Sequence, residues 1–198
     1  MIKTNRFISL LLAVAVLIPL LAGCTGSSAD YCVKVEGDTV SIPSMNLSFS
    51  FPAPWFVITD EEAEAIAQDV ELLRDYVDEE GNLLCSQPEA YTTEEIFLLN
   101  GKTLETCRIS VKEDRNEYSL ENFAFGLFDK MQDEMSEISL PQVWNIGKYK
   151  GYAISTIPQD SNAHLKHYYL HDKNTFVEII TAGSSDHVKA EEIIEESN

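Results

Sequence analysis

LKHYYLHDKNTFVEIITA, residues 165–182, decides the fold. Two runs rich in aromatic and β-branched side chains, LKHYYLH and TFVEIITA, flank the turn-forming Asp172-Lys173-Asn174. Short runs of this composition read as strands, and a tight polar connection makes them a hairpin. Neighbouring side chains of a strand point to opposite faces, so His167, Tyr169 and His171 share one side while His164 takes the other. Upstream, VWNIGKYKGYAISTI (143–157) reads as one or two further strands, and ETCRISVK (105–112) alternates with Cys107, Ile109 and Val111 on its apolar side. The second half of the chain is therefore mostly sheet.

Helices are expected among these strands. Thr59-Asp60-Glu61-Glu62 has capping-box spacing and opens a helix with Ala63, Ile66, Ala67, Val70, Leu73 and Val77 on one stripe. SLENFAFGLFDKMQDEMSEI puts Leu120, Phe123, Ala124, Leu127, Phe128, Met131 and Met135 at helical spacing, which packing against a sheet explains without a cofactor. A last helix is expected near Asp186 to Glu196. Earlier, CVKVEGDTVSIP is a hairpin around Gly37-Asp38, and NLSFSFPAPW is a strand with Leu47, Phe49 and Phe51 on one face, ended by Pro52 and Pro54. Between Asn82 and Gly101 the signals conflict: Thr92-Thr93-Glu94-Glu95 looks like a helix start, whereas Ile96-Phe97-Leu98-Leu99 reads as a buried strand, the reading adopted here. The sum is an α+β domain over residues 32–198, with a largely antiparallel central sheet covered by helices.

Four stretches together, NLSFSFPAPW with its continuation FVIT, SLENFAFGLF, KYKGYAISTI and HYYLHDKNTFVEIITA, resemble the PsbP-like superfamily. That superfamily includes the extrinsic oxygen-evolving protein of photosystem II, a Ran-binding nuclear import factor and many bacterial lipoproteins. Its strand-Pro-x-x-Trp start corresponds to Phe49-Ser50-Phe51-Pro52-Ala53-Pro54-Trp55, which are structural residues. The resemblance implies an α/β/α sandwich and a role in binding or assembly rather than catalysis. The acidic stretch from Asp60 to Ala90 departs from the pattern.

The N-terminus carries a separate message. Lys3 and Arg6 precede an apolar run from Phe7 to Ala22 with one proline and no charge, a signal-peptide layout somewhat short of the ~20 residues that a spanning helix needs. Leu21-Ala22-Gly23-Cys24 at its end resembles the lipobox of bacterial lipoproteins at all four positions. The resemblance implies cleavage between Gly23 and Cys24 and diacylglyceryl attachment to the Cys24 sulfur. Residues 1–23 are then the signal peptide and 24–31 a small, polar tether. Two or three acyl chains hold a domain stably on a bilayer where one does not. The expected location is the outer face of a cytoplasmic membrane, or the outer membrane of a cell that has one.

Loss of residues 1–23 removes two of the 14 basic side chains and none of the 33 acidic ones, leaving a formal charge of −21. Such a surface repels phosphate backbones and anionic headgroups, which excludes nucleic acid and peripheral electrostatic membrane binding. With Cys24 lipidated, Cys32, Cys85 and Cys107 remain, so at most one pair can form. A Cys85–Cys107 bridge and a buried free thiol at Cys107 both stay open.

His164, His167 and His171 have ligand-like spacing for a helix, but on a strand His164 faces away; a two-histidine metal site at His167 and His171 stays open, and no metal is assigned. The chain has no G-x-S-x-G elbow, Walker loop, H-E-x-x-H or EF-hand loop, so no catalytic residue and no cofactor are assigned. Tyr152 and Tyr168 are candidates for an exposed contact surface. The expectation is a lipid-anchored, non-catalytic binding or scaffolding module with an envelope protein partner. A lipoprotein binding a small ligand or divalent cation is the alternative, and an envelope hydrolase stands behind both.

Overall fold

The computed structural model describes residues 31–51, 53–59, 61, 62, 65, 66, 72, 75–80, 82–84, 90–159 and 161–183. The expected signal peptide and lipobox-like residues, Cys85 and the expected C-terminal helix lie outside them. In chain order the elements are β1 (Val33–Glu36), β2 (Thr39–Ile42), a 3-10 turn (Pro43–Met45), β3 (Leu47–Ser50), β4 (Trp55–Ile58), β5 (Ala90–Thr93), β6 (Glu95–Asn100) and β7 (Thr106–Glu113). Helix α1 (Leu120–Met131) follows, then β8 (Met135–Ile138), β9 (Gln142–Ile146), β10 (Tyr149–Pro158), β11 (His164–Asp172) and β12 (Thr175–Gly183). All named strand pairs are antiparallel. The fold is α+β and dominated by sheet.

Two sheets form. The larger runs β4-β6-β7-β12-β11-β10-β8, with β9 pairing the other end of β10; the smaller runs β3-β2-β1-β5. The 165–182 stretch is the centre of the larger sheet, where β11 and β12 pair from His164↔Gly183 to Asp172↔Thr175. Every residue of β12 is buried, on both faces. A strand covered on both sides reads as a near-continuous apolar run, which is what TFVEIITA shows.

One face of the large sheet is covered by the small one. Val33, Val35, Val40, Ile42, Leu47, Phe49 and Phe51 pack in one cluster with Val57, Ile96, Leu98, Cys107, Ile109, Val111, Tyr168, Leu170, Val177 and Ile179. Each such side chain, fully buried, contributes about 1.5–3 kcal/mol. This corrects the expected α/β/α sandwich: on this face the cover is sheet, because the alternating stripe of β3 supplies the apolar surface that a helix was expected to provide. The opposite face carries α1, whose Leu120, Phe123, Leu127 and Phe128 lie over Ile154, Tyr169 and Phe176. Ser119 caps α1 by accepting a hydrogen bond from the Asn122 N–H, with Glu121 in the first turn and Lys130 in the last.

Local differences have local causes. Helix α1 stops at Met131, and Met135 opens β8, because Met135 to Ile138 pair with Thr156 to Pro158 of β10. Thr92-Thr93-Glu94-Glu95 is strand, bend, strand instead of a helix start. The Thr59/Glu62 capping box is present in both directions, Thr59 N–H to Glu62 Oε2 at 2.7 Å and Glu62 N–H to Thr59 Oγ1 at 3.2 Å. Of the helix stripe behind it, Ile66 is helical and buried, whereas Val77 leaves the helix to bridge Leu83; Ala63, Ala67, Val70 and Leu73 lie outside the described residues. Hairpin turns hold Gly37 at φ 61° and Gly147 at φ 52°, where a Cβ is strained.

Candidate functional site

Two polar constellations lie on or beside the α1 face of the large sheet, one sealed and one open. The sealed one is set by strand register. Glu95 of β6 pairs Ser110 of β7, Ser110 pairs Glu178 of β12, and Glu178 pairs Tyr169 of β11, so these four residues form one row across the sheet. The next row carries Arg108 of β7, Ile180 of β12 and His167 of β11. Arg108 therefore sits diagonal to both carboxylates, within reach of a long side chain. Its Nη2 is 2.7 Å from Glu178 Oε2 and its Nη1 is 3.3 Å from Glu95 Oε1. The Tyr169 hydroxyl hydrogen-bonds Glu178.

Burial governs the proton affinities here. It raises the Glu178 carboxyl, with Arg108 pulling in the opposite direction, and it raises Tyr169 well above the ordinary phenol. His167 lies 3.2 Å from Thr156 Oγ1; burial first, and then the Arg108 charge, push its pKa down to about 3, so the imidazole is neutral. Glu95, with 32% of its side chain exposed, is the wet end of the network; Arg108 and Glu178 are under 10% exposed. The arrangement is satisfied internally, and it fastens four adjacent strands, β6, β7, β12 and β11, together.

The open constellation is a recess of about 560 Å³ between the loop before α1 and the β11–β12 turn, lined by Arg115, Asn116, Glu117, Tyr118, Ser119, His171, Lys173 and Asn174. Asp114 organises the loop. Its carboxylate accepts from the Asn116 N–H at 3.0 Å, Asn116 Nδ2 at 2.7 Å and the Tyr118 hydroxyl at 2.8 Å. Burial pushes the Asp114 pKa up, but these hydrogen bonds and the nearby His171 outweigh it, and the net shift is downward. Burial and then the bond to Asp114 raise the Tyr118 phenol.

Loop and turn are clamped to each other. The Asp114 N–H donates to Asn174 O at 2.8 Å, and His171 Nε2 lies 3.3 Å from the Asp114 carbonyl, which can only accept. The His171 and Tyr118 rings stack at 5.0 Å with 13° between planes. Lys173 takes a left-handed conformation, φ 53°, in the two-residue turn, a position that glycine or asparagine occupies at less cost. Arg115 is held through Nε by Glu113 at 2.6 Å.

The sequence-derived candidates scatter. His167 belongs to the sealed network and His171 to the recess, while His164 is on the opposite side of β11, as alternation requires. Among the described residues no group of three or more His, Cys, Asp and Glu is gathered for a metal. Cys107 is a free, buried thiol whose pKa burial pushes up to about 12. Tyr152 and Tyr168 are corrected from exposed contacts to core: both are about 5% exposed or less, because both faces of their strands are covered. Gly23 and Cys24 lie outside the described residues, and no described helix is long and apolar enough to cross a membrane. Arg108, Glu178 and the 114–118 loop escape a sequence reading. The only advance signal was a lone charge, Glu178, inside the apolar run TFVEIITA.

No family model matches the chain, and no curated protein matches it. Among solved structures it is similar to a protein of Bacteroides thetaiotaomicron VPI-5482, at 13% identity and a TM-score of 0.43, over 83% of this chain and 50% of that one. It is also similar to cyanobacterial PsbP (CyanoP) of Synechocystis sp. PCC 6803, at 10% identity and a TM-score of 0.40, over 84% of this chain and 88% of that one. The chain thus spans half the length of the Bacteroides protein.

Proposed function

We propose that this is a lipid-anchored, extracytoplasmic binding module with a PsbP-like domain, held on the membrane through Cys24 and without catalytic activity. The observation that carries it is Leu21-Ala22-Gly23-Cys24, placed where an apolar run ends and a small polar tether begins. The strongly acidic composition is in keeping with a solubilised domain held close to a bilayer by acyl chains and not by charge. The non-catalytic part of the reading is supported by how the perturbed groups are engaged: at the recess, the Tyr118 hydroxyl is given to Asp114. Glu178, Tyr169 and His167 are used up by one another, by Arg108 and by Thr156, away from the open recess. General acid and base groups must instead reach a substrate.

The reading of the domain as a binder of a small ligand is favoured by the recess beside Arg115 and His171. Binding and scaffolding readings share the anchor, so the anchor is tested first. The full chain and its Cys24→Ala variant are expressed in a bacterial host and compared by membrane fractionation and by the mass of the N-terminal peptide. A mature chain beginning at an acylated Cys24, with the variant unprocessed, supports the proposal. An unmodified Cys24 in the wild type overturns it.

A further inference from the structure

We propose that the recess between residues 114–119 and the β11–β12 turn is a saccharide site, taking an uncharged, polyhydroxylated ring. This deepens the ligand-binding reading above and rests on it, but not on the lipid anchor. The argument is from the donor and acceptor inventory. Each sugar hydroxyl both donates and accepts, so its site must interleave the two kinds of group. Donors here are the Arg115 guanidinium, of which only Nε is engaged, and the Lys173 ammonium. Glu117 supplies acceptors, and Asn174 supplies both. The side chains of Glu117, Lys173 and Asn174 are exposed, line the recess and make no hydrogen bond or ion pair within the protein.

Other ligand classes fit less well. An anion wants donors alone, and it would meet Glu117 with Glu113 and Asp114 alongside, in a chain of formal charge −19. A metal ion wants oxygen acceptors, and it would meet Arg115 and Lys173 while the Asp114 carboxylate is already taken by three donors. The stacked Tyr118 and His171 rings, both half-buried, give the recess a partly apolar wall suited to the C–H groups of a sugar.

The site is also built in advance. The Asp114 bonds and the Asp114 to Asn174 clamp fix the backbone of both walls before any ligand arrives, which lowers part of the ordering cost of binding; the exposed Glu117, Lys173 and Asn174 side chains order with the ligand. Its volume of about 560 Å³ falls among small-molecule sites.

The test uses the full-length chain in a detergent without a sugar headgroup. Glucose, galactose, mannose and N-acetylglucosamine, with their 1,4-linked disaccharides, are titrated while the Tyr118 and His171 ring resonances are followed by NMR. Inorganic phosphate, citrate and calcium are titrated in parallel. The expected result is a saccharide that shifts these resonances with Kd of about 1 mM or tighter. Its affinity falls at least about tenfold in Glu117→Gln and in Asn174→Ala, two exposed positions where the melting temperature stays unchanged. Phosphate or citrate alone shifting the resonances would make this an anion site, and calcium alone a cation site. Either result, or no response to any of the saccharides, overturns the proposal and leaves the Cys24 test untouched.

Discussion

Replacing Arg108 by methionine asks what the sealed network is worth. Methionine keeps most of the aliphatic volume on the strand but removes the guanidinium, so Glu178, 6% exposed, loses its ion-pair partner and keeps the Tyr169 hydroxyl and the weaker pull of the Lys112 charge. Breaking a buried pair by removing one partner costs about 3–5 kcal/mol, because the remaining charge is left without compensation. Glu95 adds little, since its side chain is a third exposed and water can solvate it. For a chain of this size the loss corresponds to a fall in melting temperature of roughly 6–20 °C.

The pH dependence carries the diagnostic sign. A carboxyl whose folded pKa is raised binds more protons folded than unfolded, between the ordinary carboxylate pKa and its own; stability falls as pH rises through that window. Arg108 holds the Glu178 pKa down, so Arg108→Met raises it further and widens the window. The variant should lose more stability at pH 8 than at pH 5. Adding Glu178→Gln, which removes the charge and keeps an acceptor for Tyr169, should restore at least half of the loss. Urea denaturation of wild type, single and double variants at both pH values decides it. A single variant within 1 kcal/mol of wild type, or a double variant no more stable than the single, refutes the reasoning.

Three further outcomes follow from the same sheet. His167 has a depressed pKa of about 3, so the folded state binds fewer protons than the unfolded one from its ordinary value of 6.5 down to there. Wild-type stability should fall with decreasing pH by up to about 1.4 kcal/mol per unit from this group, and His167→Gln should flatten that slope in denaturation curves at pH 7, 5.5 and 4.5; an unchanged slope counts against it. Cys107, buried and with its thiol pushed up to about 12, should take up iodoacetamide only in denaturant, and peptide mass spectrometry showing native labelling at pH 8 would contradict its place between the sheets. Gly151→Ala puts a Cβ 2.5 Å from the Tyr169 carbonyl oxygen and 2.7 Å from Leu170 Cδ2, so thermal melts should show a loss of about 1–3 kcal/mol or more, and a neutral result would mean that β10 and β11 do not approach so closely.

Strands and turns of this protein are written in its local pattern. The alternation of Leu47, Phe49 and Phe51, the run TFVEIITA and the polar turn between β11 and β12 each depend on neighbours a few residues away, and each is where the sequence places it. The capping box at Thr59 and the cap at Ser119 are equally local, since a side chain reaches a backbone N–H three residues on. Local pattern fails where a partner distant in sequence decides. Helical spacing carries through Met135, yet pairing with β10 takes that residue into a strand. Tyr152 and Tyr168 alternate like surface residues, and only a second layer on each side of the sheet buries them.

Alternation says which face a residue takes, and it cannot say whether that face is wet. That question depends on what packs against it, which is why the sequence alone determined strands, turns and charge, while tertiary structure alone decided the rest. Arg108 and Glu178 are 70 residues apart and look like ordinary outward polar residues of two strands; antiparallel register sets them diagonal, and burial turns them into an ion pair. The recess at Tyr118 and His171 joins a loop and a turn 57 residues apart in the same manner, through a hydrogen bond that no pattern in either segment encodes.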